Sequence, residues 1–173
     1  LLTAGDSPDF CAGGDLGYLN GLSASQALAF SDKVYELCVR IESSPALWCA
    51  ILKGRTLGGG AELALACDQR YVTACSTLSF SQLKMGLPSG WGGFHRLVCQ
   101  VGRSQAMSMV LNAQTLDATA QVDAGLSEFM AGDELGTMRN HIKKWCTQDP
   151  AVIRSALRTL KSNGQRDVER AAF

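Results

Sequence analysis

The sequence predicts an α/β fold built on parallel strands, and three observations carry that expectation. An apolar run at residues 47–52 leads through Thr56-Leu57 into Gly58-Gly59-Gly60 and an Ala/Leu-rich helix at residues 61–67. A second, shorter apolar run, Leu1-Leu2-Thr3-Ala4, leads through a turn cluster into another glycine pair, Gly13-Gly14. After the central helix, residues 70–74 and 78–81 read as further short strands. Strand–helix–strand order with short connections favours parallel pairing through right-handed crossovers.

Each element follows from local chemistry. Glycine pairs before a short helix at 16–19 suit a backbone that something must approach closely. Asp15, at its start, holds its own turn. From Ser23 to Ser44, residues Ala27, Phe30, Val34, Leu37, Cys38 and Ile41 recur at helical spacing, an amphipathic helix with a core-facing stripe. Ser23 or Ser25 caps it and Pro45 ends it. The helix at 61–67 starts directly after three glycines. Its first amide N–H groups lack intrahelical partners and its dipole adds partial positive charge, so the turn suits an anion or a developing oxyanion. Glu62 lies in the first turn beside it. On this stretch alone, a capping carboxylate next to a tight turn is the better reading.

The remainder is helical with one extended edge. Residues 86–93 form a glycine-rich loop that opens a helix at 94–101, stopped by Gly102. Ser104 is placed to cap a helix at 105–112, with Met107, Val110 and Leu111 facing inward. A short helix at 117–123 stops at Gly125. Residues 126–130 read as a short strand, and 134–146 and 151–162 as helices.

Composition excludes several classes. The 173 residues suffice for one core. Lys+Arg and Asp+Glu balance at 16 each, which leaves no basic excess for nucleic acid or a membrane surface. No apolar run approaches the ~20 residues of a membrane span. The seven cysteines, Cys11, Cys38, Cys49, Cys67, Cys75, Cys99 and Cys146, are scattered and form no C-x-x-C pair, so zinc and redox motifs are not expected. Most of them sit in apolar runs and read as small buried hydrophobes of an intracellular protein. His95 and His141 form no H-x-x-x-H pattern, and no metal site is expected. Ser89 stands in Gly-Leu-Pro-Ser-Gly, not the G-x-S-x-G of a hydrolase elbow.

Three stretches carry a family resemblance. Phe10-Cys11-Ala12-Gly13-Gly14-Asp15 resembles the F-C-A-G-x-D motif of the crotonase (enoyl-CoA hydratase/isomerase) superfamily. Leu57-Gly58-Gly59-Gly60-Ala61-Glu62-Leu63 with Cys67-Asp68 resembles its L-G-G-G-x-E-L…C-D motif. Gly86 to Gly93 with Arg96-Leu97 resembles its third signature. The resemblance implies a crotonase-like ββα-superhelix core at 1–130, shared in fold with the Clp-type peptidases, and a C-terminal helical trimerisation region at 131–173. It also implies that the chain is a fragment lacking N-terminal strands and a C-terminal helix.

The resemblance assigns roles as well. The amides of Gly14 and Gly59 would form an oxyanion hole for a thioester carbonyl. Ala12 would lie by the adenine of coenzyme A, with Gly13, Gly58, Gln82 and Trp91 lining the substrate site. Glu62 matches one of the two glutamates of classical hydratases, and the second falls on Gln82. Hydration wants two carboxylates around one water, and a Gln amide does not exchange a proton near neutral pH. With Trp91 narrowing the acyl pocket, the motif detail is nearest to the ethylmalonyl-CoA and methylmalonyl-CoA decarboxylase branch. The implied reaction is decarboxylation of a short alkylmalonyl thioester, with Glu62 or a water beside it returning the proton. The alternatives are enoyl-CoA hydration or isomerisation, and a non-catalytic acyl-CoA-binding member. Coenzyme A arrives as part of the substrate, so no separate cofactor is implied. A homotrimer or dimer of trimers in the cytoplasm, or in the mitochondrial matrix of a eukaryote, completes the expectation.

Overall fold

A computed structural model describes residues 1–130 and 132–162. Part of the expected C-terminal region, Ala131 and residues 163–173, lies outside the described residues.

Two small sheets form the scaffold. One pairs β1 (Cys49–Leu52), β3 (Gln69–Val72) and β6 (Glu128–Phe129) in the order β1-β3-β6, all parallel. The other orders β2 (Arg55–Leu57), β4 (Thr77–Ser79) and β5 (Thr115–Asp117), with β2–β4 parallel and β4–β5 antiparallel. The predicted strand at 47–52 is therefore only the first half of a bent unit. The chain turns at Gly54, whose φ is +57°, and β2 continues in the other sheet. Sequence periodicity misses β2 and β5, because three residues of mixed polarity show no period. The parallel expectation holds apart from β4–β5.

The N-terminal segment joins both sheets. Leu2 bridges Ala50 and Cys11 bridges Thr56, each in parallel. Phe10 N donates to Lys53 O at 2.8 Å, and Leu57 N donates to Cys11 O at 2.9 Å. The chain around Cys11 thus runs alongside β2, and both leave the sheet at the same end.

Helices cover these sheets. After α1 (Leu16–Asn20), α2 (Ala24–Ser43) is capped by Ser23 in a full capping box with Gln26. Its inward stripe packs Val34, Cys38 and Ile41 into the core, with Phe30 a turn earlier against Trp91. Leu37, expected on that stripe, is 47% exposed, because Cys38 and Ile41 fix a stripe centre that leaves it outside. The central helix α3 (Gly59–Ala66) is buried on most faces and packs against α4 (Gly93–Val101). Next, α5 (Arg103–Leu111) is entered from Gly102 and not from the expected Ser104 cap. Its buried residues are Ala106, Met109 and Val110, while Met107 and Leu111 are exposed. Of the three expected there, only Val110 faces inward. The short α6 (Ala118–Asp123) is capped by the Asp117 side chain.

Two late helices close one side. From α7 (Glu134–Trp145), Met138 and Trp145 pack with Tyr71, Ile51 and Cys49 of the first sheet. From α8 (Pro150–Lys161), Lys161 Nζ reaches Asp68 at 2.9 Å and donates to the carbonyls of Ser44 and Ala46. Asp68 also accepts from Trp48 N at 2.7 Å, which ties the strand entry, the α3 exit and α8 together. Arg70 is buried and donates to the carbonyls of Cys67 (2.7 Å), Ala64 (3.4 Å) and Leu126 (2.5 Å). The Cys67 and Ala64 carbonyls lie at the α3 C-terminus, where the helix dipole favours a cation, and Ala64 O also accepts from Cys67 N at 3.2 Å. Burial pulls the Arg70 pKa down from its ordinary value. Among the described residues no helix is long and apolar enough to cross a membrane.

Candidate active site

The site is built where the Cys11 segment and β2 end side by side. Past Cys11, Gly13 takes φ +100°, and past Leu57, Gly58 takes φ +53°, ψ −116°. Both conformations are ones that glycine adopts without a Cβ penalty. The two turns touch: a Cβ on Gly13 would lie 3.2 Å from Leu57 O and 3.4 Å from Gly59 N. Just beyond, a Cβ on Gly60 would lie 2.1 Å from Cys11 O. Gly59 is the first residue of α3, so its amide has no intrahelical acceptor. On the other side of the pair, the turn through Ala12, Gly13 and Gly14 leads into α1, whose N-cap Asp15 accepts from Tyr18 N at 3.1 Å, the local role expected for it.

Glu62, in the first turn of α3, is 2% exposed, and both of its oxygens accept hydrogen bonds. Its Oε1 accepts from Gln82 Nε2 at 2.8 Å. Its Oε2 accepts from Ser89 Oγ at 2.6 Å, Trp91 N at 2.9 Å and Gly93 N at 2.8 Å. The four donors are uneven, one on Oε1 and three on Oε2, so Oε1 keeps an acceptor position open beside Gln82. Two helix starts, its own and that of α4 at Gly93, add favourable dipole ends. Gln82 is also buried, and its Oε1 has no protein partner.

Trp91 sits over the start of α3. A Cβ on Gly59 would lie 2.1 Å from Trp91 Cζ3 and 2.4 Å from Cη2, so the indole rests on the Gly59 Cα. Phe30 of α2 meets the indole edge-on at 6.2 Å, and Tyr18 of α1 meets Phe30 at 6.1 Å. The Trp91 carbonyl accepts from Arg96 Nη1. Arg96 in turn donates to both oxygens of Glu42, at 2.7 and 2.6 Å. Burial is the largest single influence on the Arg96 pKa and would lower it, but the hydrogen bonds and charge of Glu42, with Cys38 and Tyr35, together outweigh it, so the net direction is upward.

The structure therefore brings Gly13, Gly58, Gly59, Glu62, Gln82 and Trp91 together, and sets Ala12 and Gly14 in the adjoining turn. Sequence reasoning missed Ser89 and Gly93, which bind Glu62 directly. The signal was a serine and glycines in one short loop opposite an acidic helix start. A separate cavity of about 540 Å³ lies between α8 and the end of α3, lined by Leu47, Leu65, Cys67, Trp145, Ile153 and Leu157. None of the glycine-turn residues lines it.

With this geometry in place, sequence comparison decides the family. The family model described as enoyl-CoA hydratase/isomerase matches residues 1–172. The chain belongs to the enoyl-CoA hydratase/isomerase family. Among curated members of similar sequence, ethylmalonyl-CoA decarboxylase of Gallus gallus is 32% identical over 171 residues, covering 95% of this chain and 57% of that protein. Enoyl-CoA isomerase/hydratase fer4 of Mycosarcoma maydis is 33% identical over 132 residues, covering 76% of this chain and 48% of that protein. The chain thus spans about half the length of these relatives. Among solved structures, enoyl-CoA hydratase of Thermoplasma volcanium superposes with a TM-score of 0.88 at 26% identity, over 97% of this chain and 70% of that one. The crotonase fold is thereby established.

Proposed function

We propose that the full-length protein decarboxylates a short alkylmalonyl thioester of coenzyme A. The observation that carries this reading is the contact between the two glycine turns, with the unpartnered helix-start amide of Gly59 at their junction. The amides of Gly14 and Gly59 act as the two donors to the thioester oxygen, Ala12 and Gly13 line the coenzyme A side, and Gly58 shapes the turn. The bond from the α carbon to the free carboxylate breaks, its electron pair moves into the thioester, and carbon dioxide leaves. The resulting enolate oxygen takes both N–H groups, then the α carbon takes a proton from water. One such donor is worth about 3–4 kcal/mol in the transition state.

Gln82 supports decarboxylation over hydration. It occupies the neighbour position of Glu62, and its amide holds Glu62 Oε1. Hydration needs a second group that exchanges protons, and an amide does not. The family name and the Mycosarcoma maydis relative favour a second reading, enoyl-CoA hydration or isomerisation. Assembly as a homotrimer or dimer of trimers belongs to the same proposal, and sedimentation of the full-length protein reads it.

A substrate panel on the full-length protein tests the assignment. Carbon dioxide release from alkylmalonyl-CoA, with little hydration of crotonyl-CoA, is the expected result. Crotonyl-CoA hydration without carbon dioxide release removes the decarboxylase assignment. Tight acyl-CoA binding with no turnover of any thioester leaves a binding protein in its place.

A further inference from the structure

Trp91 is held from both of its main-chain polar atoms. Its N–H donates to Glu62 Oε2, and its carbonyl accepts from Arg96, which Glu42 grips with both carboxylate oxygens. Gly90 before it and Gly93 two residues after it are pinned as well. Ser31 Oγ of α2 donates to Gly90 O at 2.9 Å, and Gly93 N donates to Glu62. Close contacts leave the loop little freedom: a Cβ on Gly92 would meet Arg96 Nη1 at 2.8 Å and Tyr35 at 3.0 Å, and one on Gly93 would meet Glu62 Cγ at 2.2 Å. The indole therefore lies against Gly59 because α2, α3 and α4 all fix the loop that bears it.

We propose that Glu62 and the Arg96–Glu42 pair are positioning residues that hold Trp91 against Gly59, so that together they set the size of acyl group accepted beside the oxyanion donor. The inference rests on the proposed thioester reaction and, of the two proton sources the sequence left open, Glu62 or a water beside it, takes the water. Both Glu62 oxygens already receive donors from the 82–93 segment. A proton placed on Oε2 would force one of three short contacts apart. Glu42 and Arg96 sit behind the loop, and the side-chain hydrogen bonds they form are with each other and with the Trp91 carbonyl. An effect of theirs on acyl choice is therefore expected to pass through Trp91, which the double variant tests.

The test uses Glu42→Gln, Arg96→Lys, Glu62→Gln and Trp91→Ala in the full-length protein, and the double variant Glu42→Gln/Trp91→Ala. The readout is the ratio of kcat/KM for a short against a longer alkylmalonyl-CoA. A close-fitting wall discriminates groups differing by a methylene by about tenfold or more. Glu42→Gln and Arg96→Lys are expected to lower the ratio at least about threefold, toward that of Trp91→Ala. In the Trp91→Ala background, Glu42→Gln should leave the ratio unchanged. An equal loss on both substrates, or a Glu42 effect that persists without Trp91, overturns the proposal. A Glu62→Gln variant that slows both substrates equally restores the proton-donor role and also overturns it.

Amide hydrogen exchange at Trp91 and Gly93 in ligand-free protein is the second measurement. Both Glu42→Gln and Glu62→Gln should speed it, and unchanged exchange in both variants overturns the proposal. This readout needs no turnover. A protein inactive on every thioester but loosened at these two amides therefore sinks the reaction and leaves the loop's anchoring standing.

Discussion

Gly60→Ala tests the junction on which the site depends. Gly60 is buried in the first turn of α3, and its added methyl would sit 2.1 Å from the Cys11 carbonyl oxygen and 2.8 Å from the carbonyl carbon. Ordinary carbon contacts lie at about 3.5–4.0 Å, so one backbone must move by roughly an ångström, since no flexible side chain can yield there. Cys11 O is also the acceptor for Leu57 N at 2.9 Å, and the same strand pair bridges Cys11 to Thr56. Overpacking of this kind costs about 1–3 kcal/mol. A lost hydrogen bond adds about 1 kcal/mol. Replacing glycine by alanine within a helix returns about 1 kcal/mol. The net expectation is a loss of about 2 kcal/mol. Urea unfolding with a common m-value measures it. Gly21→Ala is the control: Gly21 has φ −84°, and its first Cβ neighbour is Tyr18 O at 3.5 Å. That variant should stay within about 0.5 kcal/mol of the parent. If Gly60→Ala proves as stable as Gly21→Ala, the two glycine turns do not meet as described, and the oxyanion reading loses its geometry.

Three further outcomes follow from separate parts of the molecule. Asp9 is held below its ordinary 3.8 by hydrogen bonds from Arg55, so its contribution is present above that value and is lost as pH falls through the depressed folded pKa. Asp9→Asn should flatten the acid limb of the stability–pH curve below about pH 4, and an unchanged slope counts against the pair. Burial pushes the Cys67 thiol up to about 11 and also raises Cys38 and Cys49. Iodoacetamide at about pH 8 should therefore label exposed Cys99 and Cys146 in the native protein, and Cys38, Cys49 and Cys67 only on unfolding, as read by peptide mass. Lys161→Ala removes one ion pair between mostly buried side chains and two carbonyl contacts, one part-buried and one exposed, and should cost about 1–2 kcal/mol. Amide exchange should rise first in α8, and a uniform rise would show that Lys161 does not dock that helix.

The parts of this structure legible in the sequence are those with long periods or punctuation. The helix α2 announced itself by a stripe of apolar residues and by Ser23, and the capping box with Gln26 is there. The strand–glycine–helix passage into Gly59 was legible because only glycines permit the turn. By contrast, β2 and β5 are three residues each and are recruited by neighbours, not by their own pattern. Helix α5 was legible as a helix, but its inward face was not, since Met107 and Leu111 are as apolar as the buried Met109 and Val110. Apolar character says which residues can be buried, and packing partners decide which are.

The role of Glu62 was beyond reach of the sequence for a deeper reason. Two of its four donors are backbone amides, which every non-proline residue carries, so no residue type marks them. Ser89 was set aside because its neighbours do not spell a nucleophile elbow, yet a hydroxyl beside a carboxylate has a simpler use as a donor. Burying an unpaired carboxylate is costly, and the sequence around residue 62 offers no cation to offset it. The compensation comes instead from a loop about 20–31 residues further along, ending in the helix start at Gly93. That arrangement couples the two halves of the site. The loop folds where it does because Glu62 must be satisfied, and Trp91 reaches Gly59 because the loop is there. On the proposed reading, a carboxylate so held contributes by fixing the wall of the site, and water supplies the proton that quenches the enolate.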